Sequence, residues 1–376
     1  MPQTELDVLL VGGRIEVRGS WVYTLGLARG LPGRGAACRV VARNQARVRQ
    51  TAVRGIELLE HSEGDAAWLS LWARRRLLTA LRRRPPTLIH GQSARMAPLV
   101  VWLADRLYCP CVLTVHEAEP EVTLLRFNWR AVRAVIATDD AAREALVSAA
   151  RIPRPLLSVI KPGVSAGDST ALQILETGRT PVIGVVGPLD ETMDHPLFLG
   201  AAKRVIETGR EAQFLIAGAG PREAGLRRLV SELEIEAFVT FSDTLPETAD
   251  ALRALDLLCV PSRSREAALV ALLAMALGRA VVVPAAEELN GPLAAVQACL
   301  SLCAPNCQGL ANALLQLMEN PVRARVQAAQ ARRLVAQEHA LEPMLAQTLA
   351  VYRGALEEQS PGTIKLSEAA EVSRQL

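Results

Sequence analysis

The chain has 376 residues, too many for one ordinary hydrophobic core and about right for two domains. Half of the residues are apolar but only 3% are aromatic, so the core must be built from Ala, Val and Leu. That suits helices layered on buried parallel strands and speaks against an all-β sandwich, while a net charge of +3 with both signs interleaved calls for no nucleic-acid partner.

Short apolar runs ending in Gly or small polar residues alternate with longer helical patterns, the signature of βαβ units. Val8 to Val11, Cys38 to Ala42, Thr87 to His90, Cys111 to Val115, Ala134 to Ala137 and Leu157 to Ile160 read as the strands of a first sheet. Between Ala66 and Pro86, the residues Trp68, Leu69, Leu71, Trp72, Leu77 and Leu78 alternate with Arg74, Arg75, Arg76, Arg82, Arg83 and Arg84, which gives an amphipathic helix with a cationic face. Two readings compete: a domain helix with its Trp side inward and its arginines in water, or a helix lying on an anionic membrane surface. Nucleic acid is disfavoured there, because no aromatic stacking platform accompanies the arginines.

After a stretch carrying Pro162, Gly163, Gly167 and Gly178, the pattern restarts with Val182 to Val186, Phe214 to Ala217, Val239 to Phe241, Leu257 to Val260 and Ala280 to Pro284. The expected organisation is an N-terminal Rossmann-like domain over 1–165, a linker over 166–180 and a second Rossmann-like domain over 181–356, closed by one helix from about Pro321 to Leu356. The tail over 357–376 has few apolar residues, and disorder is expected for it.

Seven scattered cysteines without a C-x-x-C pair indicate reduced thiols and a cytoplasmic location. Cys299, Cys303 and Cys307 recur at helical intervals, but Pro305 breaks that helix and no His is near, so no metal site is expected. Cys109-Pro110-Cys111 reads as strand packing. Asp7-Val8-Leu9-Leu10-Val11 near the start is too short and too lightly flanked to read as a signal peptide, so none is expected, and no apolar run reaches spanning length. A dinucleotide-binding oxidoreductase is set aside, because Gly12-Gly13 lacks the remaining glycine of G-x-G-x-x-G.

Two α/β units of one architecture suggest a single cleft, since open parallel sheets bind ligands beyond the carboxyl ends of their strands. Several motifs support this. Gly187 ends the first strand of the second unit, and Phe214-Leu215-Ile216-Ala217-Gly218-Ala219-Gly220-Pro221 is a strand with a G-x-G-P turn. Cys259-Val260-Pro261-Ser262 and Ala274-Met275-Ala276-Leu277-Gly278-Arg279-Ala280-Val281-Val282 follow in order. In the first unit stand Arg18-Gly19-Ser20, His90, Thr114-Val115-His116-Glu117 and Lys161-Pro162-Gly163-Val164. Together, over roughly Leu6 to Leu356, these segments resemble the large retaining GT-B glycosyltransferase family that includes bacterial mannosyltransferases and sucrose synthases.

The resemblance implies an α/β fold of two facing Rossmann-like domains and metal-independent transfer of a sugar, with retention, from a nucleoside-diphosphate sugar to a glycan or lipid-linked acceptor. It assigns Glu266 to the donor sugar, His116 to the sugar or acceptor, Gly218 and Gly220 to the nucleotide base turn, Gly187 and Ser262 to the donor side, and Gly19 to a phosphate or the acceptor. It implies no cofactor beyond the donor, and a cytoplasmic protein that peripheral membrane contact through the Arg-rich helix would suit. The sequence also departs from the family. Pro188 and Asp194 stand where the family carries an Arg and a Lys for the diphosphate, Leu273 stands where a Glu grips the ribose, and the segment after Glu266 lacks the family's glycines. These departures keep an alternative open, a catalytically inactive GT-B scaffold that binds a glycan or a partner protein.

Overall fold

The computed structural model describes residues 6–14, 19–43, 56–60, 67–116, 131–165, 173–242, 248–262, 264–284, 289 and 291–357. Arg18, Glu117, Gly167 and the segment after Glu357 lie outside them, as do the side chains of Trp68, Leu69 and Leu71.

The first sheet contains β1 (Leu6–Arg14), β2 (Ala36–Arg43), β3 (Glu57–Glu60), β4 (Leu88–Gly91), β5 (Cys111–Val115), β6 (Val132–Ala137) and β7 (Leu157–Val159), in the spatial order β3-β2-β1-β4-β5-β6-β7. The second contains β8 (Val182–Val186), β9 (Gln213–Ala217), β10 (Val239–Ser242), β11 (Leu257–Cys259), β12 (Ala280–Pro284) and β13 (Ser301–Cys303), in the order β10-β9-β8-β11-β12-β13. Their pairings are parallel. Helices cover both faces, which is why the central strands are unbroken apolar runs: Val8 to Val11 are wholly buried. The fold is therefore α/β with two parallel sheets, and in each sheet the strand order reverses beside its first strand, between β1 and β4 and between β8 and β11. Crevices for ligands open at such reversals.

Two edge strands correct the sequence reading. β3 has only Leu58 and Leu59 between acidic residues, too short a run to signal a strand. β13 carries Cys303, so the three cysteines do not share a helix: Cys299 ends a 3-10 helix and Cys307 starts an α-helix. Among the described residues no cluster could hold a metal ion.

In the first lobe, α1 (Gly19–Gly30) follows β1, while α2 (Ala67–Arg83), α3 (Ala97–Leu107) and α4 (Asp140–Ser148) come later. The second lobe has α5 (His195–Glu207), α6 (Glu223–Glu232), α7 (Thr248–Arg253), α8 (Arg265–Ala276), α9 (Cys307–Glu319) and α10 (Pro321–Glu338). In α2 the buried side chains are Ala73, Leu77, Leu78 and Leu81. Trp72 falls on another face at 59% exposure, with the Arg76 guanidinium 5.7 Å from its ring, so this Trp points outward and not inward.

The long terminal helix of the sequence reading is two helices, broken at His339-Ala340 before α11 (Leu341–Glu357). The break is where the chain recrosses between lobes. Val164 N donates to His339 O at 2.9 Å, the His339 ring bonds Pro162 O at 2.9 Å, and Lys161 pairs with Glu338 at 2.9 Å. α11 then returns to the first lobe and packs on α1, β5 and β6. No described helix is long and apolar enough to cross a membrane.

Candidate functional site

The carboxyl ends of the two sheets converge where α1 meets α8. Gly19, the first residue of α1, lies so close to the backbone carbonyl of Glu266 that any Cβ would overlap it. Glu266 sits in the first turn of α8, whose start is fixed by Ser264: its Oγ accepts from Ala267 N at 3.1 Å and its carbonyl from Ala268 N at 3.2 Å. The shortened segment after Glu266 has thus become helix. Amides that an open glycine loop would present to a phosphate are already bonded.

Between these helices lies a cavity lined by Gly19, Gly187, Pro188, Met193, Glu266 and Val270, among others. It has about 10 Å³ of space, room for about one water. Pockets for small ligands run to roughly 300 Å³ or more, so the lobes are closed here. Among the described residues, no Lys or Arg lines it. Asp194, expected to reverse the charge of the phosphate site, does not line it either: its carboxylate caps α5 by accepting from Leu197 N at 3.1 Å, and Met193 takes the lining position. Of the cations that could make up for Pro188 and Asp194, namely Lys203, Arg222 and Arg265, Lys203 is paired with Glu207 and Arg265 with Asp139. Leu273, at the expected ribose position, is 6% exposed in the apolar core.

Gly218 and Gly220 let two loops of the second lobe touch. Gly218 has φ +156°, a Cβ on it would strike Gly187 O, and one on Gly220 would strike Leu189 O. The loops are laced by Gly187 N to Ala217 O and Leu189 N to Ala219 O, both 3.0 Å. Ser262 Oγ donates to Thr192 O at 2.6 Å and so ties the end of β11 to the same loop. Gly187, Gly218, Gly220 and Ser262 therefore belong to one rigid rim.

His116 follows β5 in the first lobe. It is buried, and its ring lies edge-on to Tyr23 of α1 at 4.9 Å, one turn along from Gly19. Burial lowers its pKa to about 4 against an opposing hydrogen bond with the Gln92 backbone, so the ring is neutral at pH 7. Among the described residues its Nε2 has no hydrogen-bond partner. His90 is a different case. Its ring nitrogens meet Tyr352 Oη at 2.6 Å and Thr114 Oγ1 at 2.7 Å, and burial lowers its pKa to about 3. It serves the packing of α11, a role that Tyr352, 262 residues away, hides from the sequence.

Comparison with known proteins agrees with this architecture. Residues 17–167 match the family described as Glycosyltransferase Family 4, and residues 180–320 match that described as Glycosyl transferases group 1. The chain is 32% identical over 224 residues to the D-inositol 3-phosphate glycosyltransferases of Mycobacterium bovis and Mycobacterium tuberculosis, a match covering 50% of this chain and 45% of each relative. It thus spans about half the length of the curated relatives it matches. Among solved structures, Anabaena HepE in complex with UDP and glucose superposes with a TM-score of 0.70 at 17% identity, covering 93% of this chain and 99% of that one. A Staphylococcus aureus TarM mutant in complex with Fondaparinux, alpha-GlcNAc-glycerol and UDP gives 0.72 at 11%, covering 92% and 99%. WaaG, described as a glycosyltransferase involved in lipopolysaccharide biosynthesis, gives 0.66 at 13%, covering 95% and 100%. The fold is that of the GT-B glycosyltransferases. The two family matches fall one on each lobe, Family 4 on the first and group 1 on the second, and each covers under half of the chain.

Proposed function

We propose that the protein transfers a sugar from a nucleoside-diphosphate donor to a glycan or lipid-linked acceptor, with retention and without a metal. The observation that carries this is the meeting of Gly19 and Glu266 across the lobes at the wall of the cavity, one helical turn from Tyr23 and His116. In this reading Glu266 accepts hydrogen bonds from the donor sugar. Neutral His116, with Nε2 uncommitted, bonds the sugar or acceptor. The rim built by Gly187, Gly218, Gly220 and Ser262 positions the nucleotide. With no lining Lys or Arg among the described residues, the leaving diphosphate relies on the N-terminus of α1. UDP is the favoured donor nucleotide, because two neighbours of the same fold have been solved with it. The outward Trp72 and the arginines of α2 suit peripheral contact with the cytoplasmic face of a membrane, where a lipid-linked acceptor would be met.

The test is calorimetric titration with UDP, GDP and ADP up to millimolar concentration. Binding of one of them is expected, and Glu266→Ala should weaken the matching nucleotide sugar at least tenfold while changing the bare nucleotide little. If none binds, transfer from a sugar nucleotide is ruled out and the inactive scaffold takes its place.

A further inference from the structure

The lobes meet at the cavity through apolar packing of α1 on α8 and through polar contacts beside it. Gly19 against the Glu266 carbonyl is a contact of shape, which resists compression but supplies little directional attraction. A directional link between the lobes stands beside it, apart from those at the crossing near His339. Arg265, the first residue of α8, reaches Asp139, the N-cap of α4, with Nε to Oδ2 at 3.0 Å and Nη2 to Oδ1 at 3.4 Å. The side chains are 21% and 18% exposed, so solvent and salt screen the pair less than a surface one. Asp139 cannot swing away freely, because its Oδ1 also accepts from Ala142 N at 2.7 Å to cap α4. Gly291, at φ +72°, closes over the pair: a Cβ there would lie 3.1 Å from Arg265 Nε and 3.4 Å from Asp139 Oδ2. A two-point charge-assisted contact is thereby held in place from both lobes.

We propose that Arg265 and Asp139 form a latch that keeps the lobes shut over the cavity, so that donor enters only the fraction of molecules in which the pair has parted. The proposal rests on the nucleotide-donor reading above. Since Arg265 adjoins Glu266, parting the pair uncovers Glu266 and Gly19 in one movement. The apparent affinity for nucleotide is reduced by the fraction of open molecules, and a variant that cannot latch recovers it.

Asp139→Asn is the clean variant, because Asn keeps the oxygen that caps α4, removes the charge and puts an amide donor where Arg265 Nε needs an acceptor. Arg265→Gln is its counterpart. The first readout needs no ligand: small-angle scattering of the full chain at low and high salt. Both variants should show a larger radius of gyration than the parent, the double variant should be no larger than the single ones, and high salt should move only the parent. The second readout is UDP titration, in which the variants should bind about tenfold more tightly. An unchanged radius of gyration in both single variants overturns the latch, even if UDP binds all forms alike and so upholds the donor reading. Variants that open while UDP, GDP and ADP bind no form establish the latch and overturn the donor reading instead.

Discussion

Both ring nitrogens of His90 are taken by hydroxyls, and the ring is wholly buried, so the neutral form is the one that fits. The same holds for His116 beside Tyr23 and for His195 at the start of α5, whose pKa burial lowers to about 4. The consequence is a dependence of stability on pH. A histidine depressed in the folded state binds its proton first in the unfolded chain, at a pKa of about 6.5. Its stabilising contribution is complete above about pH 6.5 and is lost as pH falls towards the folded values of about 3 for His90 and about 4 for His116. By linkage each of these residues should withdraw about 2 kcal/mol at pH 5. Urea unfolding at pH 7.5, 6.5 and 5 should show this fall, and His116→Gln should reduce its slope by up to one proton. An identical slope in that variant would show that His116 is charged or exposed. The basis for the prediction is half legible in the sequence. His116 ends an apolar strand and so points to a sheet edge, but nothing near His90 announces Tyr352.

At the scale of elements, what was legible is what is local. The G-x-G-P turn after β9 reads directly, because Gly218 and Gly220 are demanded by a backbone contact a few residues of loop can specify. The same is true of the capped start of α8, where Ser264 stands three residues before Ala267. The side on which a residue falls is less legible, as Asp194 and Met193 show: a one-residue difference in a loop exchanges a helix cap for a cavity wall. The break between α10 and α11 is marked in the sequence by Pro343, which has no N–H to offer His339 O, and Val164 N takes that carbonyl instead at 2.9 Å. α8 makes the clearest case for an experiment. Every residue from Ala267 to Ala276 is buried, Leu273 at 6% exposure among them, and the helix lies between α1 and α10. Leu273→Glu, the change that would restore the family's ribose-binding carboxylate, places an acid in apolar packing. It should cost about 3 kcal/mol or more and improve nucleotide binding little. A thermal melt and a UDP titration of that variant decide the point: a gain in affinity with an unchanged melt would mean that Leu273 borders the cleft.

At the scale of the whole molecule, the first lobe is completed by the last helix of the chain. α11 lays Leu341 and Leu345 against Gly26 and Gly30 of α1, sends Met344 Sδ to Gly163 N at 3.0 Å, and carries Tyr352 to His90. Met344, Leu345, Leu349, Tyr352 and Ala355 are all buried there. Large apolar side chains of this kind contribute about 2 kcal/mol each when fully buried, and the sum is comparable with the whole net stability of a domain, roughly 5–15 kcal/mol. The second lobe keeps its six strands and α10 without this helix. Ending the chain after Glu338 should therefore unfold the first lobe and spare the second. Limited proteolysis would read the difference, with cleavage concentrated before residue 165 and a resistant fragment covering the second sheet. A milder change isolates the polar part of the contact: Tyr352→Phe keeps the packing and removes only the hydroxyl, so it should cost about 1–2 kcal/mol through the His90 nitrogen it leaves unpaired. If the shortened chain instead melts in one transition at the parent's temperature, α11 is an appendage, and the first lobe draws its stability from its own sheet.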